Sequence, residues 1–276
     1  MIVGIMPNLD KRGVTDILEK MREILSNEGI KAYLPSHISF LGYESIPEEQ
    51  LFENSDVIIT VGGDGTLIRY AKTAAKYQKP ILGINAGRLG FLANIEANQL
   101  QLIKKLKSGE YETENRMLLD VSVVENGKEQ DSFTAVNDAV ISSGFMHRLF
   151  DIQAYIDEEP INYRADGLII STPTGSTAYS LSAGGPIIDP TIENIIITPI
   201  CSHSLSAKPI ILSGNNKVKF KAFSMKKSDV YLLIDGRRSY NVKPYTEIFV
   251  KKSNSNITLI KLTKRSFYKT LSEKFK

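Results

Sequence analysis

Val57-Ile58-Ile59-Thr60-Val61-Gly62-Gly63-Asp64-Gly65-Thr66 is an apolar run that stops at three glycines set around one aspartate. A short apolar run closed by glycines reads as a buried strand, and Leu67 to Tyr77 beyond it reads as a helix. The same alternation extends on both sides. Met1 to Met6 is another apolar strand, followed by Val14, Ile17, Leu18, Met21, Ile24 and Leu25 on one face of a helix. Gly29 is placed to end that helix, because glycine takes the left-handed conformation without penalty. Ile30 to Leu34 and Pro80 to Asn85 read as strands, and Gln99 to Leu106 as a helix. Strand and helix alternate to about residue 108, which is the signature of an open, mostly parallel sheet.

Beyond a boundary near residues 109–118 the pattern changes. Short strands dominate, beginning with Leu119 to Val123 and the turn Asn126-Gly127, a strong hairpin signal because both positions need positive φ. Asp151 to Asp157, Leu168 to Thr172, Lys217 to Phe223, Tyr231 to Asp235, Ile248 to Lys251 and Ile257 to Leu262 continue the series. Glu158-Glu159 reads as a hairpin tip, and Lys261 to Lys276 as a strand end and short helix. The fold class is therefore α/β, with a Rossmann-like open parallel sheet domain followed by a β-rich domain.

Composition narrows the function classes. The 276 residues carry 34 basic and 31 acidic side chains, a net charge of +3 spread along the chain, which is a weak footprint for nucleic acid. A 42% hydrophobic share with 24% charged residues is that of a globular protein. Cys201 is the lone cysteine, so no intrachain disulfide forms. The apolar start lacks a signal peptide's basic segment, no run approaches the roughly 18 residues of a membrane span, and a soluble, cytoplasmic protein is expected. His37, His147 and His203 lack zinc-type spacing, so no protein-built metal centre is expected.

Three segments carry chemistry. In Gly62-Gly63-Asp64-Gly65-Thr66, glycines let backbone approach a ligand, and a helix start favours anions such as phosphate. Asp64 beside phosphates would bind a metal or take a proton from an attacking hydroxyl; alternatively, it caps the helix. The loop is neither a P-loop nor GxGxxG. Ser171 to Pro186 is dense in hydroxyls and glycines, which suits either a sugar–phosphate ligand or a linker; Tyr179, Leu181 and two prolines argue for the ligand. Asn137-Asp138 and Arg164-Ala165-Asp166 can bind ribose hydroxyls, base edges or phosphates, although such residues are usually solvated surface.

Together these segments resemble those of the bacterial NAD kinases, whose Gly-Gly-Asp-Gly-Thr loop is shared with diacylglycerol, sphingosine and 6-phosphofructokinases. Asp166 to Pro186, Asn85 to Leu92 and His203 to Pro209 are similar to that family's further signatures and separate it from the lipid kinases. The resemblance implies a nucleotide-binding domain over 1–115, to which 247–276 returns, and a β-rich domain over 116–246 serving NAD binding and oligomerisation. It implies transfer of the γ-phosphoryl of ATP, or of polyphosphate, to the 2′-hydroxyl of the adenosine ribose of NAD. A divalent metal ion, Mg²⁺ first, and a homo-oligomer are implied with it.

By the same resemblance Asp64 accepts the hydroxyl proton and Gly65 lies against the dinucleotide. Asn137 and Asp138 take the adenosine half, and Phe91 packs on adenine. Thr177, Ala178, Tyr179, Ser180, Leu181 and Ser182 line the adenine and ribose site. Arg148, Arg164 and Asp166 approach the pyrophosphate or nicotinamide end. Arg69, on the first turn of the helix, is a candidate phosphate contact; Lys11 and Arg12 are guesses for the donor. Asp138, Lys208 and Arg237 depart from the residues common in the family, Arg237 being the doubtful dinucleotide contact. A lipid or sugar kinase, or a non-catalytic dinucleotide sensor, is the alternative.

Overall fold

The computed structural model describes residues 1–40, 42–87, 90–143, 149–204, 206–223 and 230–275. Two compact units divide the chain: Met1–Arg116 with Asn256–Lys276, and Met117–Ser255. Residues 247–255 stay with the second unit, where residues 247–250 pair with Lys221 to Val218.

In the first unit, β1 (Ile2–Pro7), α1 (Val14–Asn27), β2 (Lys31–Pro35), β3 (Glu44–Ile46), α2 (Glu48–Asn54), β4 (Val57–Gly62), α3 (Asp64–Lys76) and β5 (Ile81–Asn85) follow in order. The strands are parallel in the spatial order β3-β2-β1-β4-β5. Every residue of β4 is buried, as a central parallel strand requires. Val14, Ile17, Leu18, Met21 and Leu25 of α1 pack into the same core as Val3, Ile5, Val57, Ile59 and Leu82.

Gly29 ends α1 at φ +64°, with its N–H on Ser26 O and the N–H of Ile30 on Leu25 O. That bond pair is the Schellman arrangement, and Leu25 and Ile30 share the core beneath it. Sequence reading missed α2, whose seven residues bury only Leu51 and Phe52 and so show no period. It also expected one helix over 99–106, where a 3₁₀ segment Ala97–Lys104 precedes a short α turn Lys105–Ser108. Leu100, Ile103 and Leu106 are buried at intervals of three, the period of the tighter helix.

The second unit contains a six-stranded antiparallel sheet in the order Ile210–Ser213, Asn194–Ile200, Gly167–Ser171, Asp138–Ser143, Val230–Ile234, Arg237–Val242. Antiparallel strands Glu159–Ala165, Phe150–Ile156 and Val218–Phe223 lie in a second sheet, extended by residues 247–250. Ile152, Phe220 and Val250 from one sheet meet Leu168, Ile170, Ile197 and Leu232 from the other in one core. Asn126-Gly127, Asp157-Glu158 and Asp235-Gly236 each turn a hairpin with both residues at positive φ, which matches the strand twist.

Candidate active site

Strand order in the first unit reverses between β1 and β4, and the loops that leave their carboxyl ends form the crevice where open α/β sheets bind ligands. Gly62 to Thr66 leaves β4, and Asn8 to Gly13 leaves β1, joined by the N–H of Asn8 on Val61 O at 2.9 Å. Helix α3 begins at Asp64, three residues earlier than its apolar period suggests, because Thr66 and Leu67 already donate to Gly63 O. Asp64 makes no capping bond. Its carboxylate accepts three consecutive backbone N–H groups, from Phe91 at 2.7 Å, Leu92 at 3.1 Å and Ala93 at 3.2 Å. A Cβ at Gly90 would fall 1.9 to 2.2 Å from that carboxylate, so a side chain there would push it out of place.

The surroundings favour an anion. The Lys11 ammonium lies 2.5 Å from where a Cβ of Gly63 would stand, and nothing lies within 4 Å of the same point on Gly65. Thr66 Oγ1 and Asn85 Nδ2 are buried without a partner, and Asn85 is registered beside Gly62. Buried polar atoms left unpaired cost free energy, which a bound polar ligand would recover.

In the second unit three loops converge at one end of the six-stranded sheet, fixed by the register Ser171↔Asp138 and Ile234↔Ala139. Asp235 accepts the N–H of Val136 at 3.0 Å, of Asn137 at 2.7 Å and of Asp138 at 3.3 Å. Thr172 Oγ1 donates to Val136 O at 2.7 Å and accepts the N–H of Gly175 at 3.0 Å. A Cβ on Gly175 would lie 2.1 Å from Asn137 O, so the loops touch backbone to backbone. The Ser171 to Pro186 segment is therefore no linker: it forms a 3₁₀ turn Thr174–Thr177 and a helical turn Tyr179–Ser182.

Asp138 is buried, and that burial, reinforced by the charge of Asp235, pushes its pKa up to about 7. Tyr179 is 46% exposed, with its phenol raised by burial and then by Cys201, Asp138 and Asp166. Four residue steps separate Gly167 from Ser171, about 13 Å of strand, so Asp166 sits at the opposite end of this strand from the Asn137-Asp138 loop.

Several expected site residues hold other places. Ser180 is buried with its hydroxyl 2.9 Å from that of Thr198, so it braces the loop. Phe91 packs its ring on Phe267, with centroids 5.7 Å apart, and carries the Lys274 ammonium 4.7 Å from its centroid. Arg69 falls on the second turn of α3, not the first, with its guanidinium over Tyr70. Arg164 is exposed, 3.8 Å from Asp151. Asn137, Thr177, Ala178 and Leu181 are half-buried, whereas Gly65, Ser182 and Arg237 are exposed. Arg148, and with it His147, Arg88, Leu89 and Leu205 of the quoted motifs, lie outside the described residues. Gly90, Thr172 and Asp235 were missed as supports; a carboxylate before a Gly turn was the available signal only for Asp235.

Known proteins match this arrangement along its length. The family model of the ATP-NAD kinase N-terminal domain matches residues 3–111, and that of the ATP-NAD kinase C-terminal domain residues 136–262. The chain is 39% identical to the NAD kinase of Caldanaerobacter subterraneus subsp. tengcongensis, covering 99% of this chain and 98% of that one. It is 40% identical to the NAD kinase of Natranaerobius thermophilus, over 99% and 96%. Yeast NADH kinase crystallised with NADH superposes with a TM-score of 0.88 at 25% identity, over 99% and 86% of the two chains. An NAD kinase from Archaeoglobus fulgidus in complex with ATP gives 0.74 at 27% identity, over 99% of each. Matched in both halves and similar to such relatives from end to end, the chain belongs to the NAD kinase family.

Proposed function

We propose that the chain transfers the γ-phosphoryl of ATP to the 2′-hydroxyl of the adenosine ribose of NAD, forming NADP. The observation that carries the reading is the Asp64 carboxylate, held by three backbone N–H groups at the mouth of an open glycine loop. Phosphoryl transfer asks a protein chiefly for positioning and charge stabilisation. Asp64 orients the attacking hydroxyl and takes its proton as the bond to phosphorus forms. The loop N–H groups at the start of α3 and the Lys11 ammonium stabilise the negative charge of the donor. Asn137 and Asp138 hold the adenosine half, Asp138 as acceptor for ribose hydroxyls, and Tyr179 covers that half. Arg164, Asp166, Arg148 and Arg237 serve the remainder of the dinucleotide.

Among the described residues no group of three His, Cys, Asp or Glu side chains is arranged to cage an ion. A divalent ion would therefore be carried on the triphosphate oxygens, where it would neutralise charge, rather than held in a cage of protein side chains. A homo-oligomer, in which a neighbouring copy completes the dinucleotide site, belongs to the same proposal. So does a cytoplasmic setting, where a lone cysteine stays reduced. Among the described residues no helix is long and apolar enough to cross a membrane.

The test is NADP formation from NAD, ATP and Mg²⁺, coupled to an NADP-specific dehydrogenase, with Asp64→Asn as control. We expect turnover that falls at least about 100-fold in Asp64→Asn while NAD still binds. Polyphosphate in place of ATP measures donor range. Near-normal turnover in the variant removes Asp64 as base, and absence of NAD binding removes the substrate.

A further inference from the structure

We infer that Asn94 and Phe267 are positioning residues for Asp64, acting through the backbone turn that holds its carboxylate. The inference rests on the reading of Asp64 as the proton acceptor. Three N–H groups grip that carboxylate, and all three belong to Phe91-Leu92-Ala93. A turn of three residues does not fix its own direction; something behind it must. Alongside the Asn94 N–H on Gly83 O at 3.0 Å, two side chains do so here, and both tie it to the last segment of the chain.

Asn94, the residue after the trio, accepts the N–H of Leu262 at 2.7 Å and of Thr263 at 3.0 Å on its Oδ1. Its carbonyl also accepts the Thr263 hydroxyl at 3.3 Å. The far end is held by the Phe91 ring, set between Phe267 and the Lys274 ammonium. Phe267 opens the helix Phe267–Lys274, whose first turn is capped by Ser266 accepting the Lys269 N–H at 3.2 Å. Arg265 bonds Thr270 at 3.1 Å and pairs with Glu273, which stiffens this helix from its own start. Eight residues make a marginal helix alone in water, so these contacts secure it. Leu262 to Lys274 therefore braces the turn that aims Asp64.

The chemistry explains why this matters. Displacing a catalytic group by about 1 Å can cost on the order of 100-fold in rate, whereas ground-state binding of substrates by other residues is untouched. The experiment uses the full chain carrying Asn94→Ala, Phe267→Leu or Phe267→Tyr, with Asp64→Asn in the same series. Steady-state rates are read with NAD-binding stoichiometry by calorimetry and amide hydrogen exchange at residues 91–93.

In Asn94→Ala and Phe267→Leu we expect kcat to fall about 10- to 100-fold. KM for NAD and ATP stays within about twofold, and one NAD still binds per chain. Amides 91–93 exchange faster, and Phe267→Tyr, which keeps the ring, keeps its kcat. A kcat within about twofold of the parent in both variants overturns the inference. So does a loss of turnover matched by a loss of binding sites, since that marks a merely structural role. If Asn94→Ala does not fold, Phe267→Leu and Phe267→Tyr decide alone. Turnover retained in Asp64→Asn overturns the parent reading and this inference together; turnover lost there but intact in the positioning variants overturns only this one.

Discussion

Two carboxylates in this chain are held in the same way and set in different surroundings. Asp64 in the first unit and Asp235 in the second each accept three consecutive backbone N–H groups, from residues 91–93 and 136–138. Asp64 stands at a helix start beside Gly65, whose Cβ position is open. Asp235 spends its bonds on ordering a neighbour, Asp138, which burial raises to about 7. One aspartate stands at the start of a helix beside a glycine loop; the other fixes the backbone of a buried acid. On the proposed function, the same local device serves chemistry in one unit and recognition in the other.

Gly90→Ala gives the sharpest break, because the new methyl overlaps the Asp64 carboxylate. Turnover should fall about 100-fold or more, with NAD affinity nearly unchanged. Equal losses of both would mean that the Gly90 turn serves binding as well.

Asp235→Asn attacks the other centre. It removes the charge from bonds to three N–H groups and should destabilise the second unit by about 1.5–3 kcal/mol. NAD affinity should drop more than turnover at saturation. Denaturant unfolding and calorimetry check the two parts, and loss of kcat alone would contradict the division of labour.

Asp138 should produce an inverted pH dependence. Its folded pKa, about 7, lies above the ordinary value of 3.8, so the folded state holds the extra proton between them. Stability then declines as pH rises from about 4 to 7, by at most about 1.4 kcal/mol per unit, and levels off above. Asp138→Asn should flatten that slope. NAD affinity should move the opposite way, rising through pH 7 as the carboxylate gains its charge; parallel changes would remove Asp138 as the ribose acceptor.

Tyr179→Ala should have the smallest effect, weakening NAD about fivefold to tenfold and ATP less. Equal losses for both nucleotides would make Tyr179 a structural residue.

The alternation of apolar runs and helical periods to residue 108, the change to short strands afterwards, and the Asn126-Gly127 turn were legible because each follows from local period or backbone preference. So were the two glycine- and hydroxyl-rich segments after apolar strands, Gly62 to Thr66 and Ser171 to Pro186, as ordered turns. Helix α2 was not legible, because two apolar residues in seven make no period. Nor was the inward turn of Ser180, because a hydroxyl looks the same in sequence whether it faces Thr198 or a sugar.

Local sequence by itself determined where the strongly periodic strands and helices and the Asn126-Gly127 turn form. Tertiary structure alone decided what each carboxylate does. The N–H groups that hold Asp64 lie 27 to 29 residues away, and those on Asp235 lie 97 to 99 away. Hydrogen bonds at that separation depend on strand register and loop course, which no single segment encodes.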